Sequence, residues 1–329
     1  MANPFQELLD RHRRGARPAF CSAAFLCIRR MWDEGWRFAD ILREAPTMAA
    51  AARSNLELGF DSTVLPYDLN VEAEILGAPV NYHPEVEGVP VYPTVGNRPV
   101  ARPEDVVIPA DLARQGRLPQ ILDALARVKA AAGRAAVGAF LPGPFTLAGQ
   151  VMDLDQMFVM TLKDPAAVTG ILARLTRLLA ELRSLYEAAG ADYVMVEEGG
   201  ATAISPRLFR KLVLEHLQEL LAGRRVPHML SITGNTDKFL ELMLECGPDA
   251  LGVDQAADLA KVRAAVPPDL PLAAVAGSYT MLSEATPDEV RQAVRQAREA
   301  GVDVVLPPSD IYPPAKMENI AAFLEAVRA

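Results

Sequence analysis

Short aliphatic runs alternate with longer stretches of helical periodicity along most of the chain. The runs are predominantly apolar, which is typical of parallel strands that are buried on both faces. They predict eight strands, at Ala19–Leu26, Ser62–Pro66, Ala136–Leu141, Tyr193–Val196, Pro227–Thr233, Ala250–Val253, Leu272–Ala276 and Val304–Leu306. Eight strands alternating with helices predict an α/β fold, the (β/α)8 TIM barrel.

A recurring Gly-x-Asp pattern marks the points where helices give way to strands. It occurs four times, as Gly59-Phe60-Asp61, Gly190-Ala191-Asp192, Gly247-Pro248-Asp249 and Gly301-Val302-Asp303. Glycine just after a helix can adopt the left-handed conformation that ends it. Helix starts are indicated by Ser205-Pro206, Asp164-Pro165 and the capping box Thr286-Pro287-Asp288-Glu289.

The competing architecture is a doubly wound open sheet. Its phosphate-binding fingerprints, G-x-G-x-x-G and G-x-x-x-x-G-K-[ST], follow none of the strands. We therefore predict one TIM-barrel domain over residues 1–329, with an excursion at about 78–135 between strands two and three. A long proline-rich connection of this kind is either a lid over the site or a structural insert, and the sequence leaves both open.

The charge balance and the cysteine content limit which partners and which cellular compartment are expected. The chain has 329 residues, with 33 basic and 42 acidic side chains and a net charge of −9. This balance argues against nucleic acid or an anionic membrane as the main partner, since both attract basic surfaces. Cys21, Cys27 and Cys246 form no disulfide framework, and the polar start resembles no targeting segment, so a cytoplasmic protein is expected.

Acidic and amide side chains follow the predicted strands, where barrel enzymes carry their chemistry. Candidate ligand-binding or proton-handling residues are Asp68, Glu198, Asn235, Asp254, Ser278, Ser309 and Asp310. Glu197 and Glu198 alternate across one strand end, so at most one should point into the site, and Glu198 is our choice. Glu72 is expected at the first turn of a helix, favoured there by the helix dipole.

The chain resembles the uroporphyrinogen decarboxylase superfamily over nearly its whole length. The matching stretches are Gly59–Asp61, Leu65–Gly77, Gly143–Ala148, Ser205-Pro206, Gly234-Asn235-Thr236, Thr286–Val290 and Pro313 with Glu318–Ile320. In the decarboxylase branch, the resemblance implies an arginine-rich segment after strand one, an aspartate, a tyrosine and a histidine. Only the aspartate remains, as Asp68, while Gln150 and Ser309 stand near the tyrosine and histidine positions.

The stretches Val71–Glu74 and Gly234–Thr236 look like the corrinoid-dependent branch, the methylcobamide:coenzyme M methyltransferases. That branch binds a thiol-activating zinc through a His-x-Cys pair and a later cysteine. Ser231, Thr233 and Ser309 occupy those positions here. A hydroxyl is a poor substitute for thiolate or imidazole, so we expect no metal.

An amine acceptor needs no thiol activation, and the resemblance to zinc-free relatives points to tetrahydrofolate. We therefore predict a cytoplasmic methyltransferase of one-carbon metabolism that takes a methyl group from a methylcobamide carried by a partner corrinoid protein. Asp68 and Asp310 are the predicted catalytic residues; Asn235, Glu198, Asp254, Ser278 and Ser309 are the predicted substrate-binding residues. The alternatives are a coenzyme M-type thiol methyltransferase, a tetrapyrrole decarboxylase and, from a different class, a non-catalytic barrel that binds a corrinoid or a tetrapyrrole.

Overall fold

The computed structural model describes residues 3–16, 20–23, 31, 33–87, 90–308 and 315–329. Eight parallel strands form a closed barrel in which the order of the chain is the order around the circle. They are β1 (Phe20–Ala23), β2 (Ser62–Leu65), β5 (Ala136–Pro142), β6 (Tyr193–Glu197), β7 (His228–Ile232), β8 (Ala250–Val253), β9 (Leu272–Val275) and β10 (Val304–Leu306). The predicted TIM barrel is confirmed; Ala19 and Ala24–Leu26 of the first predicted strand lie outside the described residues.

Helices surround the barrel and bury its outer face. In chain order they are α1 (Pro4–Arg13), α2 (Phe38–Arg43), α3 (Ala45–Leu58), α4 (Val71–Ile75), α5 (Leu118–Ala131), α6 (Pro144–Val151), α7 (Leu154–Lys163), α8 (Pro165–Ala188), α9 (Pro206–Leu212), α10 (Leu214–Leu221), α11 (Leu240–Glu245), α12 (Leu259–Ala265), α13 (Met281–Glu284), α14 (Pro287–Glu299) and α15 (Met317–Arg328). Short 3-10 turns lie at Pro103–Asp105, Leu112–Arg114 and Gly199–Ala203. No helix in the described part of the chain is long and apolar enough to span a membrane.

The segment between β2 and β5 contains α4, a two-stranded antiparallel ribbon, two 3-10 turns and α5. The ribbon pairs β3 (Val80–Asn81) with β4 (Thr94–Val95). A hydrogen bond connects the ribbon to the residue just before α4: the side-chain amide of Asn70 donates to the Pro93 carbonyl at 2.8 Å. Further along, the Val100 N–H donates to the carbonyl of Val151 at the end of α6 at 3.0 Å. The excursion is therefore held against the helices next to the carboxyl ends of the strands.

The predicted helix-to-strand turns are present, and their aspartates have a function in the fold. Gly59, Gly190, Gly247 and Gly301 all have positive φ. Each following aspartate accepts a hydrogen bond from a backbone N–H at or near the start of a neighbouring strand. The pairs are Asp61 with Cys21, Asp192 with Val137, Asp249 with His228 and Asp303 with Leu272, at 2.8–3.0 Å. One three-residue pattern thus ends a helix and fixes the register of two strands.

Helix α1 closes the amino-terminal end of the barrel. Its Phe5, Leu8 and Leu9 belong to the same buried cluster as the inward-facing strand residues. The Phe5 ring stacks on Tyr193 inside the barrel, with ring centroids 4.2 Å apart. At the other end of α1, His12 Nε2 lies 2.8 Å from the Pro268 carbonyl. Side chains of α1 therefore fill the barrel interior at its amino-terminal end.

Replacement of Phe5 by alanine should destabilise the protein by about 3–5 kcal/mol, because it empties a fully buried aromatic site. The shift of the denaturation midpoint in urea measures this loss. Phe158→Ala is the matched control, since that ring is 36% exposed and its truncation should change the midpoint little. Equal effects of the two substitutions would contradict the closing function of α1.

Candidate active site

Side chains in the barrel alternate between the interior and the helical shell. The interior cluster contains Val64, Phe140, Tyr193, Met195, Met229, Ala250, Ala273 and Leu306. With a side-chain period of two along each strand, the next inward positions at the carboxyl ends are Glu197 on β6, Ser231 on β7 and Asp254 after β8. The polar residues of the rim therefore begin where the apolar filling of the interior ends.

Glu197, Ser231 and Thr233 form a hydrogen-bonded group at this rim. One Glu197 oxygen accepts from the Thr233 N–H at 2.9 Å and from its hydroxyl at 2.6 Å. The Ser231 hydroxyl donates to the same carboxylate. Burial raises the pKa of Glu197, the two hydroxyls oppose that shift, and nearby Asp254 adds to it. Glu197 is a candidate proton acceptor that sequence reasoning passed over.

Asp254 organises the loop that carries Asn235. Its carboxylate accepts from the Gly234 N–H at 2.9 Å and from the Ala256 N–H at 2.6 Å. Asn235 itself is exposed, and its side-chain oxygen accepts from the Asp237 N–H at 3.1 Å. The structure thus brings these two predicted residues together at one side of the rim.

Glu198, the predicted member of the glutamate pair, points away from the interior. It is fully buried, and its oxygens accept from the Phe145 N–H at 2.9 Å and from the Thr146 N–H and hydroxyl at 2.6 Å. A Cβ at Gly143 would collide with this carboxylate, so glycine is required there. Burial raises the pKa of Glu198 to about 7 despite these hydrogen bonds. Because side chains alternate along a strand, Glu197 points into the barrel. Glu198 points outward and accepts hydrogen bonds from the start of α6.

Asp68 is buried in a two-pronged ion pair with Arg117. The guanidinium nitrogens lie 2.6 and 2.5 Å from its oxygens, and both side chains are at most 5% exposed. Arg117 also donates to the Leu42 carbonyl and contacts Glu74 at 3.3 Å. Burial alone lowers the pKa of Arg117, but the Asp68 carboxylate raises it above its ordinary value. The predicted catalytic aspartate is therefore positioned by a residue of the excursion that the sequence did not single out.

Glu72 does lie in the first turn of a helix, as expected, but it is not a solvated helix-end residue. It is 1% exposed, and among the described residues no group beyond its own backbone donates to its oxygens. Burial, with a contribution from the negative charge of Asp68, raises the pKa of Glu72 to about 8. Glu72 is therefore a neutral acid at pH 7, next to the Asp68–Arg117 pair.

The remaining predicted residues divide between the surface and the undescribed part of the chain. Ser278 lies just beyond β9, in a groove of about 520 Å³ that Gln255 and Gln296 also line. Ser309 and Asp310 lie outside the described residues. The predicted roles of all three stay predictions.

The chain matches the uroporphyrinogen decarboxylase (URO-D) family over residues 4–329, and it belongs to that family. The barrel and its polar rim are thus those of a URO-D family protein. Within the family, the chain is 26% identical over 313 residues to the methylcobamide:CoM methyltransferase MtaA of Methanosarcina barkeri, covering 93% of this chain and 91% of that protein.

Two further relatives show the breadth of the family. A uroporphyrinogen decarboxylase of Idiomarina loihiensis is 27% identical over 298 residues, covering 83% of this chain and 82% of its own. The solved structure of a methyltransferase from Methanosarcina mazei superimposes with a TM-score of 0.89, at 24% identity, covering 98% of this chain and 97% of that one. This last likeness shows a shared fold along the whole chain.

Asp68→Asn should cost about 3–5 kcal/mol of stability, because it leaves the buried Arg117 charge without its carboxylate. Thermal denaturation compared with the wild type measures the loss. Asp123→Asn is the matched control: its pair with Arg127 at 2.9 Å is exposed, so the expected cost is about 1 kcal/mol or less. A wild-type stability in Asp68→Asn would contradict a positioning function of this pair.

Glu72→Gln should flatten the pH dependence of stability. The folded protein holds the Glu72 proton up to about pH 8, whereas an ordinary glutamate releases it near 4.5. The folded state therefore binds more protons in this window, and the contribution of Glu72 to stability falls as pH rises from about 4.5 to 8, by on the order of a few kcal/mol. Urea denaturation at pH 5, 6.5 and 8 measures it.

The exposed Glu181→Gln, on α8, is the control for this pH series. It should reproduce the wild-type pH dependence. A wild-type slope in Glu72→Gln as well would show that Glu72 is ionised in the folded protein.

Proposed function

We propose that this chain transfers a methyl group from a methylated corrinoid protein to tetrahydrofolate, without a zinc ion. Corrinoid-dependent methyl transfer is the coarser part of the proposal, and it is supported by similarity to the methylcobamide:CoM methyltransferases over most of the chain. The choice of tetrahydrofolate is the finer part. It depends on the chemistry of the rim.

The observation that carries the proposal is the Glu197–Ser231–Thr233 group. Ser231 and Thr233 occupy the positions where the resemblance implies zinc ligands, and both hydroxyls donate to Glu197. Neutral hydroxyls that are already committed to a carboxylate do not suit zinc, which prefers thiolate, imidazole and carboxylate. The described residues contain no group of three His, Cys, Asp or Glu side chains placed to hold a metal. The residues present do not fit the zinc, and we derive no step from it.

The group fits an acceptor that loses a proton. In the proposed reaction the lone pair of N5 of tetrahydrofolate attacks the methyl carbon, and the cobalt–carbon bond breaks with both electrons left on cobalt. The N5 proton must then leave, and Glu197 is the carboxylate that accepts it. Because burial raises its pKa, Glu197 is a stronger base than an ordinary glutamate.

The other rim residues have positioning functions in this proposal. Asn235 orients the pterin edge through paired hydrogen bonds, and Asp254 holds the loop that carries Asn235. Asp68 and Asp310 handle protons or bind the pterin, with Asp68 aligned by Arg117. Ser278 and Ser309 complete the substrate contacts, and Glu198 supports the start of α6.

A thiol acceptor is the second candidate, and the MtaA relatives favour it because coenzyme M is in their name. Tetrapyrrole decarboxylation receives less support. Four propionate-derived carboxylates need several cations, and Arg117, a cation next to a predicted catalytic residue, is already paired with Asp68.

The acceptor is tested by incubating the chain with methylcobalamin and either tetrahydrofolate or coenzyme M, with no added zinc. Turnover with tetrahydrofolate gives cob(I)alamin, which is followed by its absorbance. We expect this signal in the folate reaction. A signal with coenzyme M alone, together with stoichiometric zinc by metal analysis, would overturn both the acceptor and the zinc-free site.

Glu197→Gln should lower kcat/KM for the folate reaction roughly 10²–10⁴-fold, the usual contribution of a positioned proton acceptor. The wild-type rate should rise with pH as Glu197 ionises, with a midpoint above the ordinary carboxyl range, because only the ionised form accepts the proton. That rise should be lost in Glu197→Gln. The pH profile of kcat/KM measures both effects.

Glu198→Gln is the matched comparison, one residue along the same strand end. Its side chain is turned toward α6, so this variant should keep the pH-dependent rise even if its loop is weakened. Loss of the rise in Glu198→Gln, with its retention in Glu197→Gln, would assign the proton to the outward-facing glutamate instead.

A further inference from the structure

The large hydrophobic side chains that are exposed in the described part of the chain are concentrated on one short helix. There are seven of them, and four lie on α7: Leu154, Phe158, Val159 and Leu162. Leu162 is the most exposed of all, at 74%. Single exposed hydrophobic residues are common, but a cluster on ten residues is the pattern of an interaction surface.

Helical geometry places these side chains together. Leu154, Phe158 and Leu162 are four residues apart and therefore line one face of α7, with Val159 beside them. Met157 and Thr161, which are buried, lie on the adjoining face of α7, next to Leu154. Helix α7 thus has a buried inner face and an apolar outer face, which we call the α7 face.

The α7 face is at the same end of the barrel as the rim. Helix α7 follows α6, which starts directly after β5, and the start of α6 is bonded to Glu198 at the end of β6. A Cβ on Gly149 of α6 would lie 3.2 Å from Leu154 Cδ2, so α7 begins tightly against α6. Helix α8 begins at Pro165, directly after α7, and its 24 residues run towards the amino-terminal start of β6, so the junction of α7 and α8 lies towards the carboxyl ends of the strands.

The size of the α7 face selects a transient partner over a second copy of this chain. A ten-residue helix is about 15 Å long and about 10 Å wide, so its outer face covers on the order of 150 Å². A stable dimer usually buries about 800 Å² per partner, whereas transient complexes are at the low end, below about 600 Å² per partner. A corrinoid protein must leave after each transfer to be methylated again.

We propose that the α7 face is the docking surface for the corrinoid protein that delivers the methyl group. This inference rests on the proposed function, and it adds the place at which the donor protein binds. Phe158 is the central side chain of the α7 face, and Leu154, Val159 and Leu162 surround it. Apolar side chains of the partner cover these four residues and remove them from water, which is the favourable contribution to docking.

Leu162→Asp tests the proposal, because it puts a charge on the α7 face at a position too exposed to affect folding. The donors are free methylcobalamin and, separately, each corrinoid protein encoded by the source organism, reconstituted with methylcobalamin. We expect the KM for the active corrinoid protein to rise by about 10-fold or more, the effect of losing roughly 1.4 kcal/mol of binding. The kcat/KM with free methylcobalamin should stay at the wild-type value, since that donor needs no docking surface.

Val107→Asp is the matched control. Val107 is also highly exposed, at 68%, but it lies on the excursion and not on α7. This variant should retain the wild-type KM for the corrinoid protein. An equal rise in KM in both variants would show a general effect of added negative charge and would overturn the proposal.

Other outcomes separate this inference from the proposed function. Wild-type turnover with free methylcobalamin, combined with an unchanged KM for the corrinoid protein in Leu162→Asp or with no active corrinoid protein, would overturn the docking surface alone. No wild-type turnover with any methylated corrinoid would overturn the proposed function, and the docking surface with it. A wild-type dimer in light scattering that becomes a monomer in Leu162→Asp would assign the α7 face to a second copy of this chain.

Discussion

Closure of eight parallel strands forces each strand side chain either into the barrel or into the helical shell, and the other features of this protein follow from that division. Inward positions up to Met195 and Met229 are mostly apolar, apart from Ser22 and Ser62, whose hydroxyls hydrogen-bond to Tyr193, and α1 closes the barrel at its amino-terminal end. The next inward positions on β6 and β7 are Glu197 and Ser231. The polar rim is therefore continuous with the packed interior, and the rigidity of that interior is passed on to the carboxylate above it.

Buried charged side chains stabilise the structure outside the barrel interior. Arg117 reaches from the start of α5 to Asp68, and its cost of burial is offset by two short hydrogen bonds to the carboxylate. The four Gly-x-Asp turns use the same chemistry, since each carboxylate receives an N–H from a neighbouring strand. Acidic residues thus serve two purposes here: some fix the fold, and others face the site.

Those two purposes explain what the sequence could predict. The eight strands, the four turns and the helix starts follow local rules, and the structure confirms them. The choice between Glu197 and Glu198 does not follow from a local rule. Strands that are buried on both faces have no alternation of polar and apolar residues to show which side points inward. Arg117 is 49 positions from Asp68, and Glu72 is buried near Tyr186 of α8, which is further away still along the chain. Such pairings depend on tertiary packing, which no short motif records.

The seal made by α1 also affects the order of events in catalysis. Because Phe5 and its neighbours fill the amino-terminal end, molecules that react at the rim reach it from the carboxyl-terminal end. In a methyl transfer between a small acceptor and a protein-borne donor, both reactants then share one entrance. The donor protein is the larger reactant, and it covers this entrance when it binds. For the methyl transfer proposed above, this geometry predicts an ordered kinetic mechanism, in which the acceptor binds before the donor protein and the methylated product leaves after that protein departs.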